Sequence, residues 1–598
     1  MASDKNAPGI PDSWKFGRSP SGLLVATGLV LDKKLFSFGA ATMPSTDYRA
    51  LRGIGVVPTY DELWSEPVPE LNSLLAAVPV QTWFAFLLRL ITVLVRDNAS
   101  AQDKTRILLE MLDDDARHRA LLFLESNQNA SLISAFSVLL LLELTASRAE
   151  LAASPAPLID PATRAMMVKA LYVVSDRLNE SLTAGIPHNP SGAAAALRER
   201  SILGQPTRRM LTAFGLWRWS HVALDDRARN IRATFDAHFA SRCGVSLEQW
   251  VVGLSLATLA AVNQPLTEAI TTPIFIVENR SDLTPAGRAL IGACLSQLSL
   301  TTDAFRVECK RADAEKDLFR SPSLIPVKAH PCLRTVEGVT AAYRAISPLH
   351  VAEAGVRRPV LERARDSAQR NIALIEYGHL VESYVHALLM HAFGDRYQRL
   401  EPSNSRKRAE GIIWYPQGFI VIECKARSSS EWVRYQMRSD DEYAAELHDS
   451  GLAKAAQQIE STIDDVLSGS IPQQCAAPPR VAGGIIVSLQ DLALSWISGS
   501  VFERLLPPTR MSDGVLRLRP QLMEIETLEE IDKWEHVDLL EVLTRKMQDK
   551  NMMFECVNAF LQHERGDPKL SRTKRIMWDA LRAFIVPYLN APEGNAIG

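Results

Sequence analysis

The sequence predicts several domains: a mainly α-helical N-terminal region, then a C-terminal α/β domain built around a hairpin. Three observations carry that expectation. The chain has 598 residues, more than one hydrophobic core usually organises. Apolar residues recur at three-and-four spacing across residues 69–261, as in VQTWFAFLLRLITVLVRD and EQWVVGLSLATLAAV, which is the spacing of helices that bury one or more faces. Beyond residue 370, short β-branched runs alternate with helical stretches, and this is an α/β order.

Taken in order, GLLVATGLVLD and KKLFSFGAA within 20–40 read as a small strand pair inside an N-terminal segment 1–65. A helical region 66–270 follows, interrupted by SPAPLIDP and GIPHNPSG. No fixed period runs through it, so a regular solenoid is not expected. Residues 271–360 form a mixed connecting region, with strand-like TPIFIVE, a helix from Pro285, and proline-punctuated SPSLIPVKAHP. The polar, Arg-rich AEAGVRRPVLERARD, around 352–363, reads as a linker or a domain edge. The α/β domain spans 361–500. Its order is a helix (NIALIEYGHLVESYVHALLMHAF), strands in RYQRLEP, AEGIIWY and GFIVIECKA, a helix ending GLAKAAQQIESTIDDVL, and a strand in VAGGIIVSL. The remainder, 501–598, holds strand-like QLMEIET and then helices up to KRIMWDALRAFIVPYL.

Hydrophobic residues make up 47% of the chain and charged residues 23%, an ordinary globular balance. The formal net charge of -3 excludes a global positive field, so any nucleic-acid contact must be local. Seven cysteines are scattered singly, without CxxC, which argues against a zinc site or disulfide framework and fits a reducing cytoplasm. The N-terminus lacks a signal-peptide pattern. The most apolar run, 132–144, contains Glu143 and is shorter than the roughly 20 residues that cross a bilayer. A buried core helix and a soluble, cytoplasmic protein are expected. No GxxxxGK[ST] occurs, so the chain offers no ATP-binding loop of that kind.

One triplet occurs twice: Glu308-Cys309-Lys310 and Glu423-Cys424-Lys425. On a strand, Glu and Lys at i and i+2 share a face, whereas on a helix they diverge by about 200°. The second copy ends the apolar run GFIVI and follows Tyr415-Pro416-Gln417-Gly418, whose proline and glycine suit a type I turn. A two-residue loop pairs Tyr415 with Gly418, and stepping outward by five pairs Glu410 with Glu423. Such partners lie about 5 Å apart on one face, close enough to share a cation. A one-residue shift would oppose Glu410 to Cys424 instead. The geometry therefore demands either this register or a bulge that brings Glu410 back. The first copy follows AGRALIGACLSQL, with helical spacing, and has only Asp303 upstream; it reads as a solvated helix face. An exposed Glu423–Lys425 ion pair remains the plainer alternative for the second.

Residues 376–490 resemble the PD-(D/E)XK, or restriction-endonuclease-like, nuclease superfamily, over about a fifth of the chain. The resemblance implies a central mixed sheet flanked by helices and a Mg²⁺- or Mn²⁺-dependent nuclease, acting on DNA in preference to RNA. Tyr377-Gly378-His379-Leu380-Val381-Glu382 resembles the first helix, with Glu382 as its acid and Glu376 second. Glu410 stands where the family usually has aspartate. Glu423 and Lys425 match the signature, and Lys454-Ala455-Ala456-Gln457-Gln458-Ile459 resembles the following helix, with Gln458 preferred over Gln457. By this resemblance Glu410, Glu423, the Cys424 carbonyl and Glu382 would hold the metal. Lys425 would position water or offset phosphate charge.

Arg406, Lys407 and Arg408 before Glu410, and Arg427 after the triplet, could grip phosphates or form a solvated loop. Trp432 and Tyr435 could stack on bases or pack into a lid. His379 and His386, seven apart, are set aside as zinc ligands for want of convergent partners. Cys424 should point to the face opposite Glu423, as core. The N-terminal helices would supply recognition, regulation or a surface for a protein partner or second copy, an arrangement that would suit prokaryotic defence against foreign nucleic acid. The competing reading is an inactive nuclease-like module that binds nucleic acid or serves assembly.

Overall fold

The computed structural model describes residues 15–18, 24–27, 57–94, 101–126, 132–150, 160–185, 206–219, 226–262, 282–315, 324–337, 340–363, 367–401, 408–426, 451–475, 477–489, 504–534, 538–548 and 571–590, with single positions at 441, 444, 445, 448, 557, 560 and 561. The expected TPIFIVE strand, the run KKLFSFGAA, and Arg406, Lys407, Arg427, Trp432 and Tyr435 lie outside them. Near the start, β1 (Lys15–Arg18) and β2 (Leu24–Thr27) pair antiparallel.

Helices dominate up to Val262. The apolar run expected to be core is the helix Ala135–Arg148, buried from Phe136 to Ala146 and capped by Ser134, whose hydroxyl accepts from Phe136 N. Its Glu143 is tolerated there because one carboxylate oxygen accepts from the buried N–H of Val327 at 3.0 Å, a partner such a group requires. No single described helix is long and apolar enough to cross a membrane. Asp226–Cys243 and Leu247–Val262 qualify only together, and they meet at 65°.

Two large cores divide the molecule, and they do not follow the sequence segments. One joins helices between residues 57 and 178 to Phe305, Cys309, Leu333 and Leu349. A small sheet of β3 (Ser299–Thr301), β4 (Cys332–Glu337) and β5 (Thr340–Ala345) adjoins it. The other starts with α1 (Pro206–Trp219) and α2 (Leu247–Val262) and runs through to Ile585. The expected linker is part of that core. AEAGVRRPVLER belongs to α3 (Pro348–Arg363), whose Val351, Ala352, Val356 and Val360 are buried. Arg358 pairs with Glu362 one turn on, at 2.7 Å. The segment is therefore a packed helix and not a linker.

The helix α4 (Ser367–Phe393) leads into the α/β domain. Its Leu380, Val381, Tyr384, Val385, Leu388 and Leu389 are buried, at one-and-four spacing. The strands are β6 (Tyr397–Arg399), β7 (Gly411–Tyr415), β8 (Gly418–Lys425), β9 (Val481–Ser488), β10 (Arg510–Ser512), β11 (Val515–Arg517) and β12 (Gln521–Glu524). They form one mixed sheet in the order β10-β11-β9-β8-β7-β6, with β12 also on β9. Strands β6, β7 and β8 are antiparallel neighbours, whereas β8 and β9 run parallel across a connection containing α5 (Leu452–Leu467). A helical N-terminal region and a C-terminal α/β domain are therefore present as expected.

The sheet is covered on both faces, which is why GFIVI is continuously apolar. Ile420, Ile422 and Cys424 face the core containing α4. Phe419 and Val421 face α5, through Ala455, Ala456, Ile459 and Ile463. A buried ionic group fixes α4 from behind. Tyr384 donates to Glu529 at 2.7 Å, as does Thr212 at 2.8 Å, and Lys574, on α6 (Arg572–Ile585), is paired with the same carboxylate.

Candidate metal centre

The two-residue turn sets the hairpin register as the sequence predicts: Tyr415 pairs with Gly418 and Gly411 with Ile422. At the open end the ladder departs from regularity. The Glu410 N–H donates to the Ile422 carbonyl at 2.9 Å, although Ile422 is already the partner of Gly411. Two consecutive residues thus oppose one, the arrangement of a β-bulge, which bends the bulged strand.

The bend takes Glu410 toward α4. Glu382, His386 and Glu410 each place a ligand atom within 4.8 Å of the others. Glu382 is flanked on its own helix by His379, whose Nδ1 is 3.3 Å from Oε2, and by His386, whose Nε2 is 3.6 Å from Oε1. Positions 379, 382 and 386 follow the i, i+3, i+4 rule for one helix face. Glu423 is fully buried and its Oε1 is engaged by Lys425 Nζ. Its other oxygen, Oε2, is buried with no hydrogen-bond partner.

Helix α5 grips the acid-bearing segment from the opposite face. Thr462 Oγ1 accepts from Ala409 N at 2.9 Å, Gln458 Nε2 donates to the Arg408 carbonyl at 3.1 Å, and Asp465 accepts from Arg408 Nε at 2.7 Å. Positions 458, 462 and 465 again fall on one helix face. Gln458 also accepts from Lys425 Nζ at 3.4 Å, so one amide links the lysine to the strand end carrying Glu410. Gln457 is exposed.

The electrostatics follow from crowding acids in a dry place. Burial, then the charges of Glu382 and Glu423, push the Glu410 carboxyl up to about 9. Burial likewise raises Glu423 to about 7, against the pull of Lys425. Burial also opposes ionisation of Glu382, but the neighbouring imidazoles of His379 and His386 outweigh it and hold this carboxyl well below the usual range. The two carboxyls therefore resist ionising together, and the imidazoles bias the charge toward Glu382. Burial, then the three carboxylates, keep the Cys424 thiol protonated, so it is no nucleophile.

The structure thus gathers Glu382, Glu410, Glu423, Lys425 and Gln458 at one end of the hairpin. It alters two expectations. The tightest set of acids is Glu382 with Glu410, because the bulge turns Glu410 toward α4 while Lys425 holds Glu423. Arg408 was expected to meet phosphate; its charge is instead matched by Asp465, which is 2% exposed. Spacing alone also set His386 aside, yet it belongs to the cluster. The i, i+4 relation to Glu382 was the available signal. Thr462 and Asp465 went unread, although their spacing from Gln458 marks the same face. The other triplet lies on a helix, Thr302–Glu315, with Glu308 paired to Arg311 and Cys309 buried.

The donor set fits a divalent cation. Three carboxylates within electrostatic reach share one lysine, and one keeps an orphaned buried oxygen, which a further positive charge would offset; hard oxygen donors suit Mg²⁺ or Mn²⁺. No protein family, no curated protein and no solved structure matches this chain.

Proposed function

We propose that the chain is a metal-dependent nuclease that hydrolyses phosphodiester bonds, of DNA in preference to RNA, as its resemblance to the PD-(D/E)XK superfamily implies. The observation that carries this reading is the orphaned oxygen of Glu423, within electrostatic reach of Glu410 and Glu382, next to a lysine that a glutamine also contacts. Glu410, Glu423 and the Cys424 carbonyl would hold the cation, with Glu382 assisting, and the bound ion would supply Lewis acidity and an acidified water. Lys425 carries the positive charge that offsets charge developing on the phosphate. Gln458 keeps that ammonium at the site. The imidazoles beside Glu382 favour its charged form, and positive charge arriving at the site would favour loss of the proton from Glu410.

The test is cleavage of plasmid and single-stranded DNA across a Mg²⁺ and Mn²⁺ titration, comparing the wild type with Glu423→Ala and Lys425→Ala. Loss of cleavage in both variants is expected, and unchanged cleavage would remove the assignment. One observation favours a second reading, an inactive module that binds nucleic acid or serves assembly. Glu410 replaces the usual aspartate and retains its proton beside Glu382. Binding without cleavage in the wild type would select that reading. The N-terminal helices would then provide recognition, regulation, or a surface for a partner or second copy in either case. A role in prokaryotic defence against foreign nucleic acid fits such an arrangement.

A further inference from the structure

We infer that His386 is a nitrogen donor to the metal, that Tyr397 is its positioning residue, and that the site therefore takes a first-row transition ion such as Mn²⁺ in preference to Mg²⁺. The inference rests on the metal-centre reading above and adds a ligand the family resemblance does not supply.

Four observations converge on this ring. His386 is 2% exposed, so its imidazole has no solvent to satisfy it. Its Nε2 is buried without a hydrogen-bond partner and lies 3.6 Å from Glu382 Oε1, and the residue clusters with Glu382 and Glu410. Its Nδ1 is engaged by the Tyr397 hydroxyl. When Nδ1 carries the proton and donates it to that oxygen, Nε2 offers its lone pair to an ion that takes the place of the proton facing Glu382. An outer hydrogen bond of this kind fixes the tautomer and orientation of metal-binding imidazoles.

The sequence makes room for the arrangement. A Cβ at Gly411 would come 2.5 Å from the Tyr397 hydroxyl oxygen and 2.6 Å from its ring, far inside contact distance. Only glycine next to Glu410 lets the tyrosine lie between β7 and α4. The bulge that turns Glu410 toward α4 and the glycine that admits Tyr397 are adjacent residues, so the oxygen and nitrogen donors are positioned by one local feature. Imidazole shifts a carboxylate site away from Mg²⁺, which demands oxygen, and toward first-row transition ions.

The test measures binding rather than turnover. Mn²⁺ and Mg²⁺ affinities are taken by calorimetry on the full chain, and electron spin echo of bound Mn²⁺ is recorded with natural-abundance and ¹⁵N-histidine protein. The wild type should show histidine nitrogen modulation and bind Mn²⁺ more tightly than Mg²⁺. His386→Gln should lose the modulation and weaken Mn²⁺ by about tenfold or more, with a smaller change for Mg²⁺. Tyr397→Phe should keep the modulation and weaken Mn²⁺ more than Mg²⁺. Absence of a histidine signal in the wild type, or its persistence in His386→Gln, would overturn the inference; should that variant not fold, the isotope comparison decides. Cleavage dependent on Glu423 and Lys425 without a histidine signal would defeat this inference alone. A histidine signal in a protein that cleaves nothing would defeat the nuclease reading alone.

Discussion

The same three residues, Glu-Cys-Lys, occur at 308–310 and 423–425, and the two copies share almost nothing except their middle residue. In both, the cysteine is buried. In the helix Thr302–Glu315, Glu308 turns to Arg311 and Lys310 is exposed. In β8, Glu423 and Lys425 point the same way and pair, the glutamate is fully buried, and two further acids lie within electrostatic reach of it. The difference teaches that a triplet becomes a candidate site through backbone periodicity and burial. A period of two aligns its ends; a covered sheet removes the water that would otherwise neutralise them.

The comparison can be broken most sharply at the charged ends. If the proposed function holds, Glu423→Gln or Lys425→Ala should reduce cleavage by on the order of 10²–10³ or more, measured under single-turnover conditions. Glu308→Gln and Lys310→Ala should leave the rate unchanged.

The shared middle residue sharpens the contrast from the other side. Cys309→Ser and Cys424→Ser each place a hydroxyl in a packed core, at a cost of about 1–3 kcal/mol, read by denaturant titration. Equal costs would show that the cysteines do the same job in both copies.

Acid crowding makes the strand copy pH-sensitive. Without metal, the folded state holds protons on Glu410, pushed up to about 9, and Glu423, pushed up to about 7, that the unfolded chain releases near 4.5. Stability from these groups is fully present below about 4.5 and is lost as pH rises through about 7 and then about 9. Glu382 acts in the opposite sense, its contribution disappearing as pH falls below the ordinary range. Mn²⁺ should flatten the high-pH decline of the melting temperature, because binding requires the deprotonated acids. Glu423→Gln should flatten the portion near 7.

The smallest effect belongs to the helix copy. Removing the Glu308–Arg311 pair, which is substantially exposed, should change stability by less than about 1 kcal/mol, measured by thermal melting.

Much of this contrast was legible in the sequence, for local reasons. Proline and glycine in Tyr415-Pro416-Gln417-Gly418 set the turn, and the turn set the register. The continuous apolar run GFIVI announced a strand covered on both faces. What escaped depends on distant partners. The bulge at Glu410 has no residue signature of its own. Arg408 looked like a free cation until Asp465, 57 residues later, met it. His386 acquires meaning only from Tyr397 and from the glycine at 411. AEAGVRRPVLERARD reads as a linker or domain edge because its arginines are conspicuous, whereas its valines at helical spacing are what the core takes up. The return of Phe305 and Leu349 to the N-terminal core leaves no local trace either.

The most direct test of the central claim is a single cleavage assay in Mn²⁺ and Mg²⁺ on four matched variants, Glu423→Gln, Lys425→Ala, Glu308→Gln and Lys310→Ala, beside the wild type. Cleavage abolished in the first two and intact in the last two is the predicted result. Cleavage that survives in Glu423→Gln and Lys425→Ala, or that falls equally in all four, would contradict the assignment of chemistry to the hairpin.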